Sequence, residues 1–385
     1  MILRALTEVI PVRSQDVVHG SAFNTALGSG SGVAPSSRDI TFQAEIDRSN
    51  PIDKIKVFVS FMLDASSTAA TLNPDGYAAV LKNVLFQRNG VGAAPNGGAT
   101  RGTVVVVNAP GVDILQRRIQ VANLDKNTSN FLANSVSAGT QYTLCYDIDL
   151  ADDQLDDPLR THTLCPVHLD SANPTLKLSL AAQSELDINA SPTLKYRLLQ
   201  VEVHIIRRDM PPEQTAKVIA AGGFIETDFI AHDVTITASG PQKIVIDSPG
   251  EYEDLSLTLY TIGTGATAAR GDLTDTNNRP WVLQQQGRKV REFTIAQVQS
   301  ENQASMIQTG TLLYTNIARL DFVSDQIGAP DNNLGSLLNA NLEANNGQQT
   351  LLLFNAVSGT TNGKVHWVGR RILSQNIGAR RFGFV

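Results

Sequence analysis

Three groups of residues have types and spacings that could do chemistry. The densest is acidic: Asp147, Asp149, Asp152, Asp153, Asp156 and Asp157 share one short stretch. Clustered carboxylate oxygens can hold a calcium ion, but an EF-hand loop counted from Asp147 needs glycine at about the sixth position and glutamate at about the twelfth. The chain has Asp152 and Pro158 there. A solvated acidic helix start is the better reading, because carboxylates are favoured at a helix N-terminus. His162, Cys165 and His168 follow with H-x-x-C-x-x-H spacing, a pattern that could contribute to a zinc site. A closed zinc site needs a fourth ligand, and Cys145 is the only other cysteine, so these read as loop residues without metal. Gly263, Gly265 and Ala268 imitate a dinucleotide fingerprint. That motif works only where a helix starts at once, and here Arg270-Gly271-Asp272 and further turn residues follow, so the segment is a loop. The Arg-Gly-Asp triplet is an adhesion motif type that three residues produce by chance.

No G-x-S-x-G elbow is present, and the six histidines are scattered singly. His204 and His366 fall on strands and read as structural. Carboxylate pairs for glycoside chemistry cannot be read from sequence, since any two can meet in a fold. No catalytic, cofactor-binding or metal residue is assigned, no cofactor is expected, and the reading is not an enzyme.

The elements that would position these residues are strands. In the stretch from Leu194 to Pro212, Leu199, Val201, Val203 and Ile205 alternate with Gln200, Glu202 and His204, the period of a half-buried strand. Pro211-Pro212 cannot donate to a ladder and stops it, so this reads as the last strand of one β-domain and the hinge into another. Alternation recurs at Ile40–Ile46, at Ile55–Leu63, at Tyr142–Leu150 and at Leu176–Leu180. Tyr77–Gln87, Val104–Val107 and Val112–Val121 are strand-like in composition. The first residues differ: Ile2, Leu3, Leu6, Val9 and Ile10 have helical spacing up to Pro11, predicting a short docking helix or tail, or an arm that grips a neighbour or a lipid surface.

The halves repeat. Ile46-Asp47 matches Ile246-Asp247, and Ile55, Val57 and Val59 match Leu255, Leu257 and Leu259, at one constant offset of 200. The ends also match, Val203-His204 before Arg207-Arg208 and Val365-His366 before Arg370-Arg371. The length of 385 residues suits two domains. A net charge of −6 and 18% charged residues give a weakly charged, mildly acidic surface that suits no specific nucleic acid. Two cysteines, Cys145 and Cys165, predict free thiols in a reducing compartment. No signal peptide is visible, and no apolar run approaches the ~20 residues of a membrane span.

The order and character of YAAVLKNVLFQRNG, GTQYTLCYDIDLADDQLDD, PTLKLSLA and LLQVEVHIIRRDMPP resemble the double jelly-roll major capsid proteins of tectivirus-like, membrane-containing icosahedral phages, the lineage that includes adenovirus hexon. In the second half YEDLSLTLYT, TGTLLYTNIARLDF, QTLLLFNAV and GKVHWVGRRIL carry the likeness. The resemblance implies an all-β chain of two tandem eight-stranded jelly rolls, a double jelly roll with short helices in loops. Residues 1–39 would be an N-terminal arm and linker, 40–210 the first roll, 211–375 the second, and 376–385 a tail.

It further implies a structural major capsid protein, in which homotrimers of pseudo-hexagonal outline tile an icosahedral virion shell. Neighbouring trimers and penton or minor capsid proteins would be the partners, with an internal lipid membrane reached by the terminal arms. Assembly would occur in the host cytoplasm. Loops at Gly92–Gly102, Ala151–Asn173 and Gly263–Arg279 would be towers or subunit contacts, and Arg380 and Arg381 would meet lipid phosphates. Removing Met1–Pro11 would leave a folded trimer that assembles poorly. The alternative is a receptor- or carbohydrate-binding spike or fibre β-protein, which needs exposed aromatics where the chain has only Trp281 and Trp367. A cupin-like or glycoside-acting enzyme on tandem β-domains would need histidines and carboxylates clustered on inner strand faces.

Overall fold

A computed structural model of the protein describes residues 5–12, 40–63, 72–73, 75–89, 103–122, 141–151, 159–170, 172–181, 183–187, 196–221, 223–246, 251–262, 268–271, 273, 280–285, 287–305, 317–322, 338–339, 350–357 and 363–372. The chain forms two compact units, one of Met1–Arg118, Thr128–Asp228 and Gln375–Val385, the other of Ile119–Asn127 and Phe229–Ser374.

Among the described residues the first unit holds eight strands: β1 (Ala5–Val12), β2 (Ile40–Glu45), β3 (Ile52–Leu63), β4 (Leu81–Asn89), β5 (Thr103–Ala109), β6 (Gln141–Asp149), β7 (Ala172–Leu180) and β8 (Tyr196–Arg208). One sheet runs β1-β8-β3-β6. The other runs β2-β7-β4-β5, every pair antiparallel. Reading the strands as B to I in chain order gives B-I-D-G and C-H-E-F, the strand order of a jelly roll. Alternation explains why the sheets close on one another. Ile55, Val57, Val59 and Phe61 of β3 are buried, as are Leu144, Tyr146 and Ile148 of β6 and Val201, Val203 and Ile205 of β8. Leu81, Val84 and Phe86 of β4 and Leu176, Leu178 and Leu180 of β7 are buried likewise.

Two sequence expectations are overturned here. Ala5–Val12 is not helical: β1 pairs antiparallel with β8 over its whole length, from Ala5 opposite Arg208 to Val12 opposite Val201. Backbone pairing with a long neighbouring strand overrides the helical spacing. Pro11 is tolerated because β1 lies at a sheet edge, where a missing donor costs no ladder bond. Residues 112–121 are not a strand but part of helix α1 (Gly111–Ala122). Pro110 precedes it, Asp113 stands in its first turn, and every residue from Gly111 to Gln116 is buried. The strand-like stretch from Tyr77 also begins with a 3-10 turn, Gly76–Val80, before β4.

The second unit repeats the order. Its strands are β9 (Thr227–Ile236), β10 (Gly240–Ile246), β11 (Glu251–Tyr252), β12 (Asp254–Ile262), β13 (Ala268–Arg270), β14 (Trp281–Gln285), β15 (Arg288–Phe293), β16 (Ile317–Asp321), β17 (Leu338–Asn339), β18 (Thr350–Ala356) and β19 (Gly363–Ile372). One sheet runs β10-β18-β14-β15. In the other, β19 lies between β9 and β12, and β12 pairs β16 on its far side. Setting aside the short β11, β13 and β17, these are again C-H-E-F and B-I-D-G. The core between the sheets is aromatic: Trp281 stacks on Phe354 at 4.0 Å between ring centroids, beside Leu255, Leu257, Leu259, Val365 and Trp367. A helix stands between F and G in both units, α1 in the first and Ile295–Ser305 in the second.

Helix α2 (Leu159–Thr163) precedes β7, and α3 (Pro212–Ala220) follows β8 with Pro212 at its first turn. The proline pair therefore ends the strand and also starts a helix, since proline lacks the donor that a first turn leaves unused. Residues 209–228 remain with the first unit.

Candidate functional site

The acidic stretch separates into a strand end and a segment outside the described residues. Asp147 and Asp149 lie on β6 and are largely buried, not a solvated helix start. Lys54 of β3 meets Asp149 at 2.9 Å, and Lys56 meets Asp147 at 3.8 Å. Arg118 of α1 spans both, at 3.4 Å from Asp147 and 3.2 Å from Asp149. Three cations on two carboxylates form a closed electrostatic seam between D, G and the F–G helix. Asp152, Asp153, Asp156 and Asp157 lie outside the described residues.

The H-x-x-C-x-x-H residues serve three separate tasks. His162 on α2 places Nδ1 3.2 Å from the Gly223 carbonyl oxygen. Cys165 is buried and bridges Ile52 of β3 through backbone bonds in both directions. His168 packs edge-on against Phe224. Among the described residues no three His, Cys, Asp or Glu side chains stand together as a metal site. The stretch 159–170 is packed into the first unit: Leu164, Cys165, Val167 and Asp170 are buried. Arg88 of β4 organises it, bonding Asp170 at 2.6 and 2.9 Å and the Pro166 carbonyl at 3.2 Å, and lying 3.7 Å from Glu226. Sequence reading missed this arginine, whose only signal is a charge in a strand beside apolar residues.

The second unit has a comparable buried charge at the G strand. Asp254 of β12 accepts from Arg319 Nη2 at 3.0 Å and from the Arg370 backbone N–H at 3.1 Å. Asn302 on the F–G helix (Ile295–Ser305) receives the Arg319 N–H at 3.0 Å and donates to its carbonyl at 2.8 Å. Both histidines read as structural sit on strand I. His204 of β8 bonds Glu202 and lies 4.8 Å from the Phe58 ring. His366 of β19 bonds Asp233 at 2.6 Å; burial pushes the Asp233 carboxyl up, but the His366 bond and charge together with Lys364 hold it below its ordinary value.

Trp281 and Trp367 are both buried, so neither offers a flat aromatic platform for a sugar. Arg270 ends β13 and Gly271 follows it, whereas Gly263, Gly265 and Asp272 lie outside the described residues, as do 92–102, 274–279, Arg380 and Arg381. Both cysteines are free. No helix among the described residues is long and apolar enough to cross a membrane.

No family model matches the chain, and no curated protein matches it. Solved structures do. The major capsid protein of Sulfolobus turreted icosahedral virus aligns with a TM-score of 0.56 at 14% identity, over 89% of this chain and 95% of that one. The PBCV-1 virus capsid gives 0.55 at 11% identity, over 97% of this chain and 94% of that one. The Faustovirus major capsid protein gives 0.51 at 9% identity, over 97% and 90%. The fold of this chain is the double jelly roll.

Proposed function

We propose that this chain is a major capsid protein, a structural building block of an icosahedral virion. The observation that carries the reading is the repeated strand order: one chain holds B-I-D-G and C-H-E-F twice, each time with a helix between F and G. Duplication lets three chains present six similar units around a threefold axis, so a trimer can tile as a hexagon. Sandwiches sealed by buried charge seams suit a particle that must persist outside a cell. Permanent interfaces between such copies are expected to bury more than about 2,000 Å².

In this reading the homotrimer is the capsomer. Its partners are neighbouring trimers and minor or penton proteins, and its place is the virion shell after assembly in the host cytoplasm. Chemistry is confined to assembly geometry, with no catalytic step. An internal membrane beneath the shell, met by the terminal residues, is the finer part of the proposal. In this reading the first roll takes in residues 5–12 and runs on to Asp228, where the sequence put an arm and linker over 1–39, a first roll over 40–210 and a second over 211–375. The test is the solution mass by light scattering after size exclusion, followed by negative-stain imaging. A species of three times 41.4 kDa with a hexagonal outline is the expected result. A stable monomer that forms no hexagonal particles at any concentration would overturn it.

A further inference from the structure

Strand β8 does not lead straight into the second unit, because residues 209–228 first pack onto the first. Met210, Val218 and Phe224 are buried together with Ala151 and Leu164. Ile225 N–H donates to the His162 carbonyl at 2.7 Å, and Thr227 Oγ1 to the Leu150 carbonyl at 3.4 Å. Two histidines face this segment. His162 holds the Gly223 carbonyl. His168 stands against Phe224 at 5.6 Å between ring centroids, with Nε2 3.4 Å from Thr215 Oγ1 on α3. Its other nitrogen, Nδ1, is buried with no hydrogen-bond partner among the described residues.

We propose that His168 is an acid-sensitive latch, holding residues 209–228 on the first unit while its ring is neutral and loosening them when the ring takes a proton. The neutral ring satisfies the site with one N–H, on Nε2, donated to Thr215, and leaves only a lone pair on Nδ1. Protonation puts an N–H on Nδ1, where it is buried without an acceptor, and an unmet buried donor carries its full desolvation cost. It also adds a second cation near Arg88 of β4. The compensating charges are already engaged: Asp170 accepts two bonds from Arg88, and Glu226 stands 3.7 Å from the same guanidinium. Cys165 is buried on the same stretch and holds its proton. α2 contributes His162, and α3 contributes Glu213 and Lys217, both exposed.

Burial, and then the Arg88 charge, push His168 down to about 4, with Asp170 opposing. A histidine whose folded pKa lies below its unfolded value of about 6.5 supports the folded state fully above that pH. The support is lost as pH falls from there toward about 4. The affected part is the segment that leads out of the first roll, so acid acts where the chain passes between its two halves.

Hydrogen exchange on the full chain tests this, followed at the Ala221, Gly223 and Ile225 amides and corrected for intrinsic rates. Protection is expected to fall about 100-fold between pH 6.5 and 4 in the wild type. It should stay flat in His168→Phe, which keeps the aromatic contact and cannot titrate. A wild type that stays flat, or a variant that keeps the acid response, overturns the latch, the second result assigning it to Asp170 or Glu226. Should His168→Phe fail to fold, titration of the wild-type His168 Cε1–H by NMR decides. A midpoint below about 5.5 supports the latch and one at or above that value overturns it.

Discussion

Arg208, at the end of strand I in the first roll, grips Asp53 of strand D with Nε at 2.7 Å and Nη2 at 2.6 Å. The second roll repeats the arrangement. The offset that aligns the D strands carries Asp53 onto Glu253, and aligning His204 with His366 carries Arg208 onto Arg370. Arg370 Nε lies 3.3 Å from Glu253. An acid–arginine bridge from the start of D to the end of I thus stands at matching positions in both sandwiches, the acid lying on β3 in the first and one residue before β12 in the second. Asp53 is 1% exposed, so each partner is costly to remove singly.

Removing that acid should therefore destabilise. Asp53→Ala is expected to cost about 3 kcal/mol, and Glu253→Ala about 2 kcal/mol because its bridge is longer. Urea unfolding with an unchanged slope measures both. Losses within about 0.5 kcal/mol for both would mean the repeated bridge is incidental.

Gly111 opens α1 where no side chain fits. A Cβ there would lie 2.6 Å from Tyr146 Cε1 and 2.8 Å from the Leu81 carbonyl oxygen. Alanine is the better helix former by about 1 kcal/mol, but overpacking against backbone costs about 1–3 kcal/mol. Gly111→Ala should lower the unfolding midpoint. A midpoint that rises would show that the helix start can shift to make room.

The N-terminal strand gives a prediction opposite to the one the sequence supports. Deleting residues 1–12 uncovers the β8 edge along the whole register from Val201 to Arg208. An open edge of that length templates pairing with other chains. The truncated protein should aggregate or lose its cooperative transition by circular dichroism. A soluble trimer with the parental midpoint would restore the arm reading.

The two thiols should separate by reactivity. Burial pushes Cys165 up to about 12. Cys145 is exposed, yet partial desolvation and then the Asp147 charge push its thiol up to about 11. Maleimide should label Cys145 about 100-fold more slowly at pH 7.5 than an ordinary thiol of pKa near 9, and Cys165 only after unfolding. Both folded values lie above the unfolded one, so the neutral thiols favour the folded state below about pH 9 and cease to as pH rises toward 11 and 12. Native labelling of Cys165 by mass spectrometry would contradict its burial.

By itself the sequence determined the β character, the duplication and the end of the first roll's last strand. These depend on period, and the period of Ile55, Val57 and Val59 or of Leu255, Leu257 and Leu259 is written locally. It also determined that His204 and His366 lie on strands. Only the tertiary structure decided whether Ala5–Val12 is helix or strand, since its register comes from β8, far along the chain. Composition alone also favoured a strand at 112–121, where Pro110 and the acidic first turn at Asp113 start a helix whose opening residues are all buried. Asp147 and Asp149 looked solvated until strand pairing brought Lys54 and Lys56 beside them and α1 laid Arg118 across both. Arg88, Asp170 and His168 acquired their roles the same way. A charge has a partner only once distant strands meet, and one sequence carries no distance between them.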